Sequence, residues 1–273
     1  MGQKSEEAIE NLVMLFLRFA LLVVLLWPGL AVSAGPETLT DGGTFRVVEV
    51  VDGDTVKLSD GRQVRFVGIQ APKLPLGRPN FPAWPLGVEA KALVEDLVLD
   101  QEVKLHLAPT PQDRHRRVLA HLSRAADGLW LQAELLKRGL ARVYTFPDNR
   151  VLGDELLAFE RQARADKQGI WGLPYYTIRT PENVRHDMGT FQLVEGRVFD
   201  VAHVKNSIYL NFAMNWRKDF TIQIDAKRAP DFEAKGIDLL KLRAKRVRVR
   251  GWVKSRNGPL ILLDHPERLE ILY

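Results

Sequence analysis

The sequence predicts a mainly β protein with helices, an α+β chain built as two small closed β barrels. Short runs of alternating apolar and polar residues, bounded by Gly, Asp and Pro, recur along most of the chain. Helical patterns are confined to three stretches between residues 87 and 168. Residues 189–273 read almost entirely as short strands. The chain has 273 residues, 46% hydrophobic and 27% charged, enough to bury one or two cores. It contains no cysteine, which excludes disulfides, thiolate metal sites, iron–sulfur clusters and Cys nucleophiles.

The chain opens on an export signal. Residues 19–27 read FALLVVLLW, preceded by Arg18 and followed by the helix-breaking pair Pro28–Gly29 and the small-residue run Ala31-Val32-Ser33-Ala34. Glu6, Glu7 and Glu10 outweigh Lys4 in the residues before it, so initiation at Met14 gives a better charged region. Residues 1–34 are therefore assigned as a signal peptide, with a periplasmic or secreted protein and no stable membrane span after cleavage. The alternative is an uncleaved anchor over Leu12–Leu30.

Strands follow at 45–54, 55–58 and 62–69, the last two joined by a Ser59-Asp60-Gly61 turn. In the helix expected over 87–99, Ala90, Leu93, Val94, Leu97 and Val98 share one face. Further strands are expected at 102–108 and 117–123. A helix over 130–138 stops at Gly139, and one over 151–168 stops at Gly169. A segment with two prolines and no hydrophobic period separates the domains. The first domain spans residues 35–173, the linker 174–189 and the second domain 190–273. In the second, strands are expected at 191–201, 207–212, 219–224, 246–253 and 260–263, with a polar connection Asn215-Trp216-Arg217-Lys218.

Charge separates the two domains. Residues 35–188 hold 21 basic and 21 acidic side chains, whereas residues 189–273 hold 16 and 10. The excess in the second points to a polyanionic partner.

Five motifs in order carry a specific resemblance: VVDGDTVKL (50–58), VRFVGIQAP (64–72), DRHRRVLA (113–120), LLKRGLARVY (135–144) and GIWG (169–172). Over about residues 44–173 the chain resembles the staphylococcal-nuclease-like (thermonuclease) family. The resemblance implies an OB-type barrel with three helices and calcium-dependent hydrolysis of a nucleic-acid phosphodiester. Carboxylates would hold the cation, a further carboxylate would activate water, and two guanidiniums would clamp the phosphate. By resemblance Asp54 is the first metal-binding Asp, and Arg65 and Arg117 are the phosphate clamp.

The loop after the third strand departs from the family. Gln70 stands where a second metal-binding Asp is expected, and Lys73 where the Glu proposed as general base is expected. An ammonium about 5 Å from a divalent cation, at an effective dielectric near 20, repels it by roughly 6 kcal/mol before screening. Loss of a general base typically costs a further factor of roughly 10²–10⁴. Lys73 is instead expected to take the cation's place and rest on a phosphate oxygen.

Each residue also has a plainer reading. Asp54 can be a turn residue, and Arg65 a structural arginine paired with it. Arg114, Arg116 and Arg117 can be a solvated loop. His115 stands where family members often carry a stacking Tyr, or it is an ordinary surface His. Glu155 and Glu160 are expected on a solvated helix face. The Pro-rich loop 74–85 covers the site or caps the barrel.

In the second domain, Lys241–Arg256 holds eight of the 16 basic residues. Read as a strand, it puts Arg246, Arg248, Arg250 and Trp252 on one face and Val247, Val249 and Val253 on the other. A row of guanidiniums beside an aromatic suits a nucleic-acid backbone and its bases; the alternative is a charged edge. This segment is similar to OB-like domains that follow nuclease-like barrels in some exported bacterial proteins.

The expectation is a nucleic-acid-binding protein with weak or no hydrolysis and no cofactor, its partner DNA or RNA in single-stranded form or another envelope polyanion. Arg114, His115, Arg246, Arg248, Arg250 and Trp252 are its candidate contacts. The alternatives are a calcium-dependent endonuclease that recruits another ligand such as Asp52, and an envelope interaction module.

Overall fold

The computed structural model describes residues 35–215 and 219–273. The expected export signal, residues 1–34, and most of the Asn215–Lys218 connection lie outside them. Among the described residues no helix is long and apolar enough to cross a membrane.

The first domain is a closed five-stranded barrel in the order β1-β2-β3-β6-β5. Its strands are β1 (Thr40–Asp52), β2 (Thr55–Leu58), β3 (Gln63–Phe66), β5 (Glu102–Gln112) and β6 (Val118–Arg124). At 13 residues β1 is long enough to pair with β5 through its first half and β2 through its second. All contacts round the barrel are antiparallel except β3 with β6, which is parallel. The period-two pattern sends Val47, Val56, Leu58, Val64, Phe66, Leu105 and Leu122 inward, each with no exposed surface. Helix α1 (Gly87–Val98) contributes Val94 and Val98 to that core, α2 (Leu131–Lys137) Leu131, Leu135 and Leu136, and α3 (Gly153–Ala165) Leu156. These are the three helices the periodicity predicts. Sequence reading missed a two-residue antiparallel pair, β4 (Ile69–Gln70) with β7 (Arg142–Val143), in which Gln70 faces Arg142.

The expected linker is packed. Tyr176 is buried and its hydroxyl donates to the Pro85 carbonyl at 2.8 Å. Val184 is fully buried, and Arg179 pairs with Asp187 at 2.8 Å. The segment has few apolar residues, and of these Tyr176 and Val184 are buried while Tyr175 and Met188 stay exposed.

The second domain is a seven-stranded sheet. Its strands are β8 (Phe191–Arg197), β9 (Asp200–Val204), β10 (Ser207–Asn211), β11 (Thr221–Asp225), β12 (Arg246–Ser255), β13 (Pro259–Leu263) and β14 (Leu269–Leu272). The pairing path runs β9-β10-β11-β13-β12-β8, with β11 and β13 parallel. That is the strand order of the first barrel with its first strand broken in two. The break is visible in the hydrogen bonds: Val198 N–H donates to Lys245 O beside β12, and the next amide, Phe199, donates to Asn211 O beside β10. The expected barrel is thus closed by the chain at residues 198 and 199 and not by an unbroken ladder. β14 adds to β12, and a short helix α4 (Ala229–Glu233) buries Phe232 in this second core.

Candidate functional site

The site begins at the end of β1. Asp52 closes the strand, and its Oδ1 accepts the Asp54 amide at 3.0 Å, which fixes the turn. Gly53 lies under α1: a Cβ there would stand 2.7 Å from Ala90 Cβ and 2.8 Å from Ala71 Cβ. Only glycine lets the turn press this closely between the helix and the loop after β4. The result is a fully buried Asp54 whose Oδ2 accepts the Ala71 amide at 2.7 Å.

Two cations hold that carboxylate. The Lys73 Nζ is 2.8 Å from both Asp54 oxygens and 3.4 Å from Asp52 Oδ2. Arg65 Nη2 is 3.1 Å from Asp54 Oδ2. Burial pushes the Asp54 carboxyl up, but Arg65 and Lys73 together outweigh it and hold the group at about 2. Asp52 moves the other way, raised by burial and by the charge on Asp54. Lys73 is thus paired with the protein's own carboxylates. Arg65 also donates to the carbonyls of Phe66 at 2.6 Å and Ile69 at 2.8 Å, so it is pinned as well as paired.

Residue 70 is engaged by its cross-strand neighbour. Gln70 Oε1 accepts both Nε and Nη2 of Arg142, at 3.0 and 2.7 Å. Arg142 is buried, stacks over Phe191 with its guanidinium carbon 4.8 Å from the ring centroid, and has no carboxylate within salt-bridge distance among the described residues. Burial brings it down to about 10. Arg142 is not among the residues the sequence singles out; its local signal is a charged side chain between Ala141 and Val143.

The donor set does not fit a hard divalent cation, which takes six or more oxygens. Both Asp54 oxygens carry Lys73, one also carries Arg65 and an amide, and the Gln70 carbonyl is turned onto Arg142. Asp52 is no free substitute, because its two oxygens accept from Asp54 N–H and Lys73. Among the described residues no group of three or more His, Asp and Glu is arranged to hold a metal.

Arg65 and Arg117 come together on one cleft of ≈ 620 Å³. Arg117 is held by Asp113, with Nη2 at 2.7 Å and Nε at 2.8 Å, and its side chain is 30% exposed. Arg114 and His115 line the same cleft from the β5–β6 loop, the Arg114 Nε donating to His115 Nε2 at 3.1 Å. Tyr144, Phe146 and Trp252 also line the cleft. The Pro-rich loop touches the Arg142 corner, where Trp84 stands 5.7 Å from the guanidinium.

The arginine row of β12 requires correction. Its alternation is as expected, with Val247, Val249 and Val253 buried, but the arginine face is covered. Arg250 is 1% exposed and bridges Glu160 of α3, at 2.8 Å, and Glu270 of β14, at 2.9 Å. Arg248 pairs with Glu195 at 2.7 Å and with Glu270 at 3.7 Å, and Arg246 pairs with Glu195 at 2.5 Å. Glu195 and Glu270 are the rungs on either side of Arg248, so the sheet register itself neutralises the row. Arg250 joins the domains and Arg248 is paired within the second, so the two do not form an open row for a phosphate backbone; Arg246 and Trp252 remain exposed. Glu160, expected in solvent, is fully buried.

Residues 63–172 match the family model described as staphylococcal nuclease homologue. The chain is 32% identical over 136 residues to a thermonuclease of Staphylococcus hyicus, a match covering 47% of this chain and 75% of the relative. It is 32% identical over 147 residues to endonuclease Htp3 of Saprolegnia parasitica, covering 50% and 68%. A probable staphylococcal-like nuclease of Oryza sativa subsp. japonica is 31% identical over 133 residues, covering 49% of this chain and 35% of the relative.

Proposed function

The chain belongs to the staphylococcal nuclease homologue family, and on that premise we propose that it binds nucleic acid through phosphate and hydrolyses it weakly or not at all. One observation carries this reading: Lys73 seated 2.8 Å from both oxygens of Asp54. The carboxylate that the family pattern offers to calcium is already neutralised from within. An ammonium in that place cannot accept a proton from water, so the general-base position is silent at neutral pH.

What remains is a binding surface. Arg117 and Arg114 present guanidinium edges to the cleft, and Arg65 supplies positive charge at its floor. Asp113 orients Arg117 through three contacts, from the backbone amide, Nε and Nη2. Such a cleft attracts phosphates by charge and fixes their position by hydrogen bonds, with no step of bond cleavage attached to it. Export, read from residues 18–34 alone, belongs to the same proposal and is checked by N-terminal sequencing of protein recovered outside the cytoplasm.

The test is fluorescence anisotropy of a labelled single-stranded DNA with residues 35–273, in calcium and in chelator, followed by gel analysis of the same samples. Binding that weakens steeply with salt, is indifferent to chelator and leaves the strand intact supports the reading. Chelator-sensitive cutting overturns it and makes the chain a metal-dependent endonuclease.

A further inference from the structure

The second domain reaches into the cleft of the first. Trp252 lies on β12, beyond the buried Arg250, and is 44% exposed. Its indole Nε1–H donates to the Tyr144 hydroxyl at 3.0 Å, and its ring meets Phe191 edge-on with centroids 6.4 Å apart. Tyr144 in turn contacts Phe146 edge-on, centroids 5.1 Å apart. The segment carrying these rings is gripped from the second domain at each successive residue. Arg250 donates to Val143 O at 3.3 Å, Trp252 to Tyr144, and Arg268 to Thr145 O at 2.7 Å; His265 Nε2 lies 2.7 Å from Thr145 Oγ1.

We propose that Trp252 is a stacking platform for an unpaired base, so that the two domains together form a site for single-stranded nucleic acid. This rests on the reading of the cleft as a phosphate-binding surface. The indole has its one polar group satisfied inside the protein, which holds the ring in place, while nearly half of its surface stays open. An apolar ring held in this way beside Arg65, Arg114 and Arg117 combines the two elements of single-strand recognition: cations that follow the phosphates and an aromatic face that accepts any base. A base inside a duplex has both faces stacked on its neighbours and cannot use it. The sequence placed Trp252 beside a row of strand arginines; in the folded chain its cationic neighbours belong to the other domain.

Three ligands and three variants test this. The ligands are a single-stranded oligodeoxynucleotide, an all-abasic strand of the same length, and the matching duplex. Trp252→Ala is expected to weaken the first by roughly 5- to 100-fold and to leave the other two within about twofold. Trp252→Phe keeps an aromatic face without the hydrogen bond to Tyr144, and is expected to retain most of the affinity. Arg117→Ala is expected to weaken all three ligands, and melting temperatures verify that each variant folds. If Trp252→Ala weakens all three ligands equally, or if Trp252→Phe is as impaired as the Ala variant, Trp252 acts by holding Tyr144 and the stacking role is wrong. If Trp252→Ala has no effect while Arg117→Ala loses binding, the stacking role falls and the phosphate reading stands. If the unaltered protein binds none of the ligands, both fall.

Discussion

The Lys73 ammonium stands 2.8 Å from each carboxylate oxygen of Asp54, which has no exposed surface. A buried charge this close to its partner resists replacement, because a competing cation must displace a group tethered to the same chain. Calcium at millimolar concentration is therefore expected to leave the melting temperature unchanged to within about 1 °C relative to chelator. A ligand bound at 100 times its dissociation constant would add about 2.7 kcal/mol and raise the midpoint by several degrees. Differential scanning calorimetry separates these outcomes, and a calcium-dependent rise overturns the internal-cation account.

Among the described residues Arg142 has no carboxylate in contact where burial makes one valuable, and Gln70 is the side chain that meets it. Gln70→Glu keeps the shape and supplies the charge. It is expected to stabilise the protein by about 1–2 kcal/mol at pH 7, the range of a charge-assisted hydrogen bond over a neutral one. The new carboxyl would have a lowered pKa, so the gain is present above its unfolded value and lost as pH falls through the folded one. Urea denaturation at pH 7 and at pH 3 measures both; a gain independent of pH would rule out the ion pair.

The same contact governs reversion to the family pattern. In Gln70→Asp/Lys73→Glu the new Asp faces Arg142, a nearer cation than any from solvent. The double variant is expected to bind calcium weakly, and addition of Arg142→Leu to strengthen that binding at least tenfold. Isothermal titration calorimetry gives the comparison. Equal calcium affinity in double and triple variants would show that Arg142 plays no part.

What the sequence made legible follows from periodicity. The strands around the first barrel alternate over four or more residues, and the Asp-Gly-Asp-Thr turn is marked by its own residue types. The β4–β7 pair has two residues on each side, too few to show any period, yet it sets Arg142 against Gln70. Period two correctly placed Arg248 and Arg250 on one face of β12, but no local pattern says what covers a face. Glu160 was readable and was missed: Leu156, Leu157 and Ala163, three or four residues away on α3, are all buried, so it lies on the apolar stripe. An acid on that stripe calls for a buried base, and Arg250 is that base. The broken first strand of the second domain carries one local sign, the apolar doublet Val198-Phe199 at which the alternation slips and the hydrogen-bond partners change.

Arg250 is the pin between the domains. Both of its terminal nitrogens bond Glu160 at 2.8 and 2.9 Å, and Nη2 also bonds Glu270 at 2.9 Å. Glu160 Oε2 accepts the Val143 amide, so the pair anchors β7 beside the cleft. Arg250→Met removes the bidentate partner of the buried Glu160, leaving it only Arg164 Nε at 3.5 Å as a cationic partner, and is expected to cost about 3–5 kcal/mol. Arg250→Met/Glu160→Gln, which removes both charges, is expected to recover part of that loss. Chemical denaturation gives the energies, and hydrogen exchange at the Val143 amide reports the local effect. A loss below about 1 kcal/mol in the single variant would show that the buried pair does not hold the interface.

Acid should find these ion pairs in a defined window. Asp54 and Glu270 are both held at about 2, against ordinary values of 3.8 and 4.5. In each case burial acts upward and is outweighed by cations: Arg65 and Lys73 for Asp54, Arg250 and Arg164 for Glu270. A carboxyl lowered by folding contributes stability that is complete above its unfolded pKa and disappears as pH falls through the folded one. The melting temperature is thus expected to start falling near pH 4.5, to fall most steeply at about pH 3, between the unfolded and folded values, and to level off below about pH 2. Asp52, raised by burial and by Asp54, works in the opposite direction and blunts the upper part of that fall. Lys73→Met removes one of the cations that lower Asp54 and should destabilise by on the order of 2 kcal/mol at pH 7. Its Asp54 then titrates at higher pH, so the gap between variant and unaltered protein should narrow as pH drops and close near pH 2. Melting curves recorded from pH 7 to pH 2 decide the matter, since two parallel profiles would mean that Lys73 and Asp54 are not coupled.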